Sequence, residues 1–296
     1  MMTSGLKAEI LNGQFPSVFT KEDLENIPEM GSDLRSFNYL RTRSLKTAVF
    51  IRPKQDQIPL WFLKTFAADI SPILTDIDSI DSGTVPRGRK EANVCAVFKK
   101  GRKSDPANYR PISLTCVASK ILKHIVYRFI MKHLNDHNIL TDCQHGFRVK
   151  GSTEMQLILT LHDMSKATQS SSIHAIVLDF AKAFDKVPHR HLLRKLQHYG
   201  IQGRLLNWVE SFLTKCFESV VCEGQTSSQC TVTSGIPQGT GPQPIALFIN
   251  ITDLPDNVHS LVRLFADDTL LYGIVARDTG CGDGRQRGRV ITGCRT

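Results

Sequence analysis

No two of the eight cysteines (95, 116, 143, 216, 222, 230, 281 and 294) are spaced Cys-x-x-Cys in this 296-residue chain, and no Cys/His run has zinc spacing. That excludes a zinc site of the finger or ribbon kind and points to reduced thiols in an intracellular protein. No apolar stretch approaches the roughly 20 residues needed to cross a bilayer as a helix. The N-terminal MMTSGLKAEI also lacks the apolar core of a secretory signal. A soluble protein is expected. The sequence has neither an internal repeat nor a low-complexity tract, so solenoids and compositionally biased tails are set aside.

Lysine and arginine outnumber aspartate and glutamate 37 to 28, a formal charge of +9. A balance of that sign favours polyanionic partners, nucleic acid above all, and says nothing about fold.

Residues 1–90 show little sustained periodicity. PSVFTKEDLENIPEM suggests a short helix with Thr20 as N-cap and Asp23 in its first turn, and DQIPLWFLKTFAADISPIL another opening after Pro59. Beyond residue 91 the patterns sharpen. ANVCAVF (92–98) is β-prone. SKILKHIVYRFIMKHL (119–134) predicts a helix with Ile121, Leu122, Ile125, Val126 and Phe129 on its apolar face. Lys120, Lys123, His124 and Arg128 are expected on its solvated side. STEMQLILTLHDMSKA predicts a second helix, with Thr153 and Gln156 as a capping pair. HRHLLRKLQHY, stopped by Gly200, and RLLNWVESFL (204–213), with Leu205, Val209 and Phe212 on one stripe, predict two more. A hairpin is expected around Gly224. IALFINI is a buried element of either type, and LVRLF and TLLYGIV are two strands joined by ADD.

Asp267 and Asp268 stand side by side between two apolar runs, where their charges repel and burial of either is costly. A third acid, Asp179, ends the apolar run HAIVLDF (174–180). Acids delivered by two elements of one sheet can share divalent cations. Two ions about 3.5–4 Å apart would neutralise the cluster and hold the attacking and leaving oxygens of a phosphoryl transfer. Mg²⁺ suits that role. On these residues alone, a solvated turn is the commoner explanation of the paired aspartates.

VLDFAKAFDKVPH (177–189), SGIPQG (234–239), ITDLPDNV (251–258) and RLFADDTLLY (263–272) stand in a fixed order. So do FKKGRKSDPANYRPISLTCVASKILKHIV (98–126) and LTDCQHGFRVKGSTEMQL (140–157) upstream, after FPSVFTKEDLENIP (15–28). With these blocks the chain resembles the reverse transcriptases of non-LTR (LINE-type) retrotransposons over about residues 14–30 and 56–275. The resemblance implies an α+β fold, the fingers and palm of a right-hand polymerase, with an antiparallel palm sheet carrying helices on one face and the thumb missing. It divides the chain into a linker-like region (1–90), fingers and palm (91–275) and an unmatched, disordered basic tail (276–296). It implies an RNA-directed DNA polymerase that adds deoxynucleotides to a primer 3′-OH, with an RNA template, a DNA primer and deoxynucleoside triphosphates as partners. The family's priming at chromosomal DNA suggests the nucleus.

Residue by residue, the resemblance assigns two Mg²⁺ ions to Asp179 and Asp267, with Asp268 completing the acidic cluster. Phe184 would block a ribose 2′-OH, and Gln238 and Gly239 would lie beside the templating base. Arg110 and Lys100 would grip the incoming triphosphate. Gly146 and Arg148 fall on the template path, and His189 is a helix-start packing residue. After PQGT the family continues Val-Leu-Gly-Pro-Leu-Leu-Phe, whereas this chain reads Gly241-Pro242-Gln243-Pro244-Ile245-Ala246-Leu247-Phe248, with a backbone restricted by two prolines. Beyond Tyr272 the match stops within a few residues. The alternative expectation is therefore an inactive remnant of such an element, at most a basic nucleic-acid binder.

Overall fold

The computed structural model describes residues 3–22, 65–66, 82–148, 151–166, 171–236, 243–276 and 290–291. In chain order its elements are α1 (Ser4–Gln14), β1 (Glu91–Phe98), β2 (Tyr109–Leu114), α2 (Val117–Asp136), α3 (Thr153–Ser165), β3 (Ser171–Asp179), α4 (His189–His198) and α5 (Gly203–Leu213). Then come β4 (Cys216–Cys222), β5 (Gln225–Thr226), β6 (Cys230–Val232), α6 (Gln243–Ile251), β7 (Leu261–Phe265), β8 (Asp268–Ala276) and β9 (Val290–Ile291). This is an α+β chain with one mixed and one antiparallel sheet, divided into two units, Met1–His137 with Lys182–Ala246 and Asn138–Ala181 with Leu247–Thr296. Among the described residues no helix is long and apolar enough to cross a membrane.

The first unit is built on a sheet in the order β2-β1-β4-β5, with β6 also on β4. β1 meets β2 antiparallel (Phe98 opposite Tyr109) and β4 parallel (Val94 opposite Val220). The hairpin after β4 turns on Glu223 and Gly224, both at positive φ (51° and 81°), which a tight two-residue connection favours. Leu11 and Phe15 from the α1 region pack on Val94 and Val220, both of which are fully buried. The α5 stripe Leu205, Val209 and Phe212 is buried as its spacing predicts, with Trp208 stacked on Phe212.

Two readings of the helices are corrected. On α2 the described buried side chains are Ser119, Leu122, Lys123, Val126, Ile130, His133 and Leu134: Leu122 and Val126 lie inward as expected, whereas Ile125 and Phe129 are only half-buried and the stripe runs on through Lys123 and His133. Lys123, expected on the solvated face, is 2% exposed, with its ammonium 4.5 Å from the centroid of the Phe212 ring. At the start of α3 the cap is Ser152 rather than Thr153: Ser152 Oγ accepts from the Met155 N–H at 3.2 Å. The serine precedes the first helical residue and has extended backbone, as an N-cap requires. The helices expected after Thr20 and after Pro59 lie outside the described residues, apart from 65–66. Thr20 itself donates its hydroxyl to the Lys186 carbonyl.

Gly235 sits where a side chain has no room. Its φ is +75°, and a Cβ there would lie 2.6 Å from the Cα and carbonyl oxygen of Asp185. The neighbouring bonds leave no slack: Gly235 N–H donates to Val187 O at 2.8 Å, and Ser234 Oγ donates to Asp185 O at 2.7 Å. Gly235→Ala is expected to destabilise the chain by about 3 kcal/mol, combining left-handed strain with a backbone clash; urea unfolding measures it.

The second unit holds the antiparallel sheet β3-β8-β7, with β9 paired to β8 through Ile274–Ile291 and Val275–Val290. The rest of the basic tail lies outside the described residues. IALFINI proves to be helical, as α6, and buries Leu247, Phe248 and Ile249.

Candidate active site

β3 and β8 pair antiparallel in a register in which every residue from Ser171 to Asp179 has a partner between Ala276 and Asp268. At the end of that ladder Asp179 lies opposite Asp268, and Phe265 opposite Asp268 closes the β7–β8 hairpin. Ala266 and Asp267 are the two turn residues between those strands. The Phe180 N–H donates to the Asp267 carbonyl at 3.4 Å, which ties the end of β3 to the turn. The fold thus gathers the three acids singled out from the sequence at one end of one sheet. Asp267 is half-buried, and Asp179 and Asp268 are exposed.

The electrostatics agree with that gathering. Burial, then the charges of Asp267 and Asp179, push the Asp268 carboxyl above the ordinary carboxylate range. Clustered carboxylate oxygens are hard donors of the kind Mg²⁺ accepts. Among the described residues, no three His, Cys, Asp or Glu side chains form a ready-made metal cage. Like charges hold carboxylates apart until a cation lies between them, and Mg²⁺ draws much of its shell from water and phosphate.

The turn is buttressed by the segment that contains Gly146. Gly146 packs so closely that a Cβ would lie 2.4 Å from the Ala266 nitrogen. Gln144 reaches the same residue: its Oε1 accepts from the N–H groups of both Ala266 and Gly146, each at 2.9 Å. Arg148, expected on the template path, directs Nη1 at the Thr141 carbonyl at 3.4 Å. Sequence reasoning picked out Gly146 and Arg148 and passed over Gln144. The available signal was Ala266, a residue with a Cβ at a hairpin position that favours Gly or Asn.

A second unforeseen group fastens α3 to the strands carrying the acids. Asp163 accepts from Tyr272 Oη at 2.6 Å and from Arg263 Nη2 at 2.7 Å. Burial works against its charge, but the bonds from Tyr272, Arg263 and Lys166 hold its carboxyl down at about 2. A depressed carboxylate contributes stability above its ordinary pKa and loses it as pH falls through the folded value. Asp163→Asn is expected to destabilise the chain by about 2 kcal/mol at pH 7. The difference from wild type should shrink between pH 4 and pH 2, read by urea unfolding across that range.

In the first unit, Phe184 and the approach to the Gly/Pro loop are joined: the Ile236 N–H donates to the Phe184 carbonyl at 3.1 Å. His189 is buried at the start of α4 and hydrogen-bonds the Gly235 carbonyl at 2.7 Å, a packing role. Arg110 lies exposed on β2 opposite Val97, and Lys100 is exposed in the β1–β2 turn. Gln238 and Gly239 lie outside the described residues.

Residues 98–276 match the family model described as reverse transcriptase (RNA-dependent DNA polymerase). Over 204 residues the chain is 28% identical to a probable RNA-directed DNA polymerase from transposon BS of Drosophila melanogaster, covering 63% of this chain and 22% of that protein. It is 28% identical over 201 residues to the RNA-directed DNA polymerase from mobile element jockey of the same organism, covering 64% and 22%. It is 26% identical over 204 residues to a retrovirus-related Pol polyprotein from type-1 retrotransposable element R2 of Popillia japonica, covering 64% and 28%. The aligned part is thus under a third of each relative's length.

Proposed function

Since the chain belongs to the reverse transcriptase (RNA-dependent DNA polymerase) family, and its domain is of the non-LTR, LINE-type kind, we propose that it extends a DNA primer along an RNA template. The observation that carries this reading is the register that sets Asp179 opposite Asp268, with Asp267 in the adjoining turn.

In this reading these elements are the palm, and β1 and β2 with their turn belong to the fingers. Asp179 and Asp267 hold two Mg²⁺ ions. When bound, these supply Lewis-acid stabilisation of the primer oxygen and the leaving pyrophosphate. The chain's own residues do the rest. Asp268 maintains the negative field that draws cations to the turn. Phe184 fills the space a 2′-hydroxyl would need, which selects deoxynucleotides. Arg110 and Lys100 counter the triphosphate charge, and Gln238 with Gly239 lines the templating base. Gly146 and Arg148 lie along the template. The net positive charge favours the nucleic-acid backbone, and the nucleus, where chromosomal primers lie, is the compartment this reading favours.

The test is extension of a labelled DNA primer annealed to RNA, with deoxynucleotides and Mg²⁺. Template-dependent extension that stops on chelation by EDTA is expected. Soluble, folded protein that extends nothing would overturn the proposal.

A further inference from the structure

We propose that Gln144 is a positioning residue for the acid-bearing turn: it holds Ala266 in a left-handed conformation and thereby sets where Asp267 presents its carboxylate. The inference rests on the reading of Asp267 as a cation ligand.

The turn between β7 and β8 has two residues, and its first, Ala266, has φ +56°. Tight hairpins favour that sign because it matches the strand twist, and they normally meet it with Gly, Asn or Asp. An alanine there is strained, since its Cβ crowds the backbone. Something outside the turn must hold it.

Gln144 does so with both ends of its amide. Oε1 accepts from the Ala266 N–H at 2.9 Å, and Nε2 donates to the Ala266 carbonyl at 3.4 Å. One side chain therefore engages both polar backbone groups of the strained residue. The same Oε1 accepts from the Gly146 N–H, which keeps the amide in one orientation. The segment is also fixed: Leu264 N–H donates to Cys143 O and His145 N–H to Leu264 O, each at 2.9 Å, so Gln144 runs as a parallel rung beside β7. Gln144 and Ala266 are 5% and 6% exposed, so water does not compete freely for these bonds. Gly146 lets the segment approach because it has no Cβ to strike the Ala266 nitrogen.

Asp267 follows Ala266 directly, and its carbonyl is tied to β3 through the Phe180 N–H. The turn is thus held on one side by Gln144 and on the other by the strand that carries Asp179. Releasing Ala266 frees the torsions that aim the Asp267 side chain, while β7 and β8 remain paired. Groups that orient a metal ligand without touching the metal change affinity without removing a donor.

The experiment is Mn²⁺ binding to the full chain, followed by electron paramagnetic resonance of free Mn²⁺, with thermal melting in parallel. Gln144→Met keeps the length and loses the hydrogen bonds; Gln144→Asn keeps the amide and falls a methylene short. Either is expected to weaken Mn²⁺ binding about tenfold. Adding Ala266→Gly, which removes the strain the glutamine opposes, should bring affinity back to within about threefold of wild type. A merely structural role for Gln144 would lower the melting temperature and give no such rescue. Affinity unchanged in a folded Gln144 variant, or a loss that Ala266→Gly leaves in place, overturns the proposal. If one variant fails to fold, the other decides. Asp267→Asn separates the two readings: if it binds Mn²⁺ like wild type, Asp267 is not a cation ligand and both readings fall. If it loses binding while the folded Gln144 variants keep it, only the positioning role fails.

Discussion

Asp267→Asn is expected to leave the chain folded and to reduce primer extension by about a thousandfold or more, because a metal-held oxygen carries several kcal/mol of transition-state stabilisation. The substitution conserves shape and hairpin register, since the backbone bond from Phe180 uses the Asp267 carbonyl and not its side chain. Without cations it removes a like charge from beside Asp268. That carboxyl is raised by burial and by Asp267 and Asp179. A carboxyl raised in the folded state gives stability that is complete below about pH 4, its ordinary range, and lost as pH rises through the folded value. At neutral pH the charge therefore opposes folding, and Asp267→Asn should raise stability slightly, by less than about 1 kcal/mol because Asp268 is exposed and solvent-screened. Mg²⁺ should reverse the order. Wild type gains from binding the cation only in the folded state, and the variant gains less. Melting temperatures with and without Mg²⁺, beside primer extension, read both effects. A variant that extends primers at the wild-type rate would remove Asp267 from the mechanism.

The second large effect concerns stability alone. Lys123→Met is expected to stabilise the chain by about 3 kcal/mol at pH 7. Burial lowers the Lys123 pKa from 10.5 to about 8, which at about 1.4 kcal/mol per pH unit costs the charged form roughly 3–4 kcal/mol. The Phe212 ring at 4.5 Å offsets part of the desolvation, and Met matches the stem in length. Because the folded state holds the proton less tightly than the unfolded chain, wild-type stability should rise with pH between about 8 and 10.5. In Lys123→Met that rise should disappear. Urea unfolding at pH 7 and pH 10 measures both, and an unchanged slope in the variant would show that Lys123 is not the group responsible.

Lys123 also illustrates where sequence reasoning ran short. Spacing placed α2 within two residues of its ends, and the apolar residues along it indicated one inward face. The inward stripe includes Ser119, Lys123 and His133, whose polarity shifts any apolar count towards the half-buried Ile125 and Phe129. The α5 stripe carried no such polar member at Leu205, Val209 and Phe212, and it was read correctly. The three acids were legible because an acid ending an apolar run and a pair of acids between two others are local patterns. Gln144 was not, since its bonds to Ala266 span 122 positions, and nothing in QHGFR says which element it will meet. Nor did YRPISL announce itself as β2: its proline interrupts the alternation, and its strand identity comes from pairing with β1.

The parallel pairing of β1 with β4 also governs when the first unit becomes a folded body. Val94 and Val220, which face each other across that pair, are separated by 126 positions (220 minus 94). Closing so long a loop precedes any reward from the contact, and such non-local pairing slows folding. During synthesis at about 5–20 residues per second, β1 and β2 leave the ribosome several seconds before their partner strand exists. In that interval Val94 and the Leu11–Phe15 cluster have no β4 to cover them, and uncovered apolar surface of that kind is prone to aggregate.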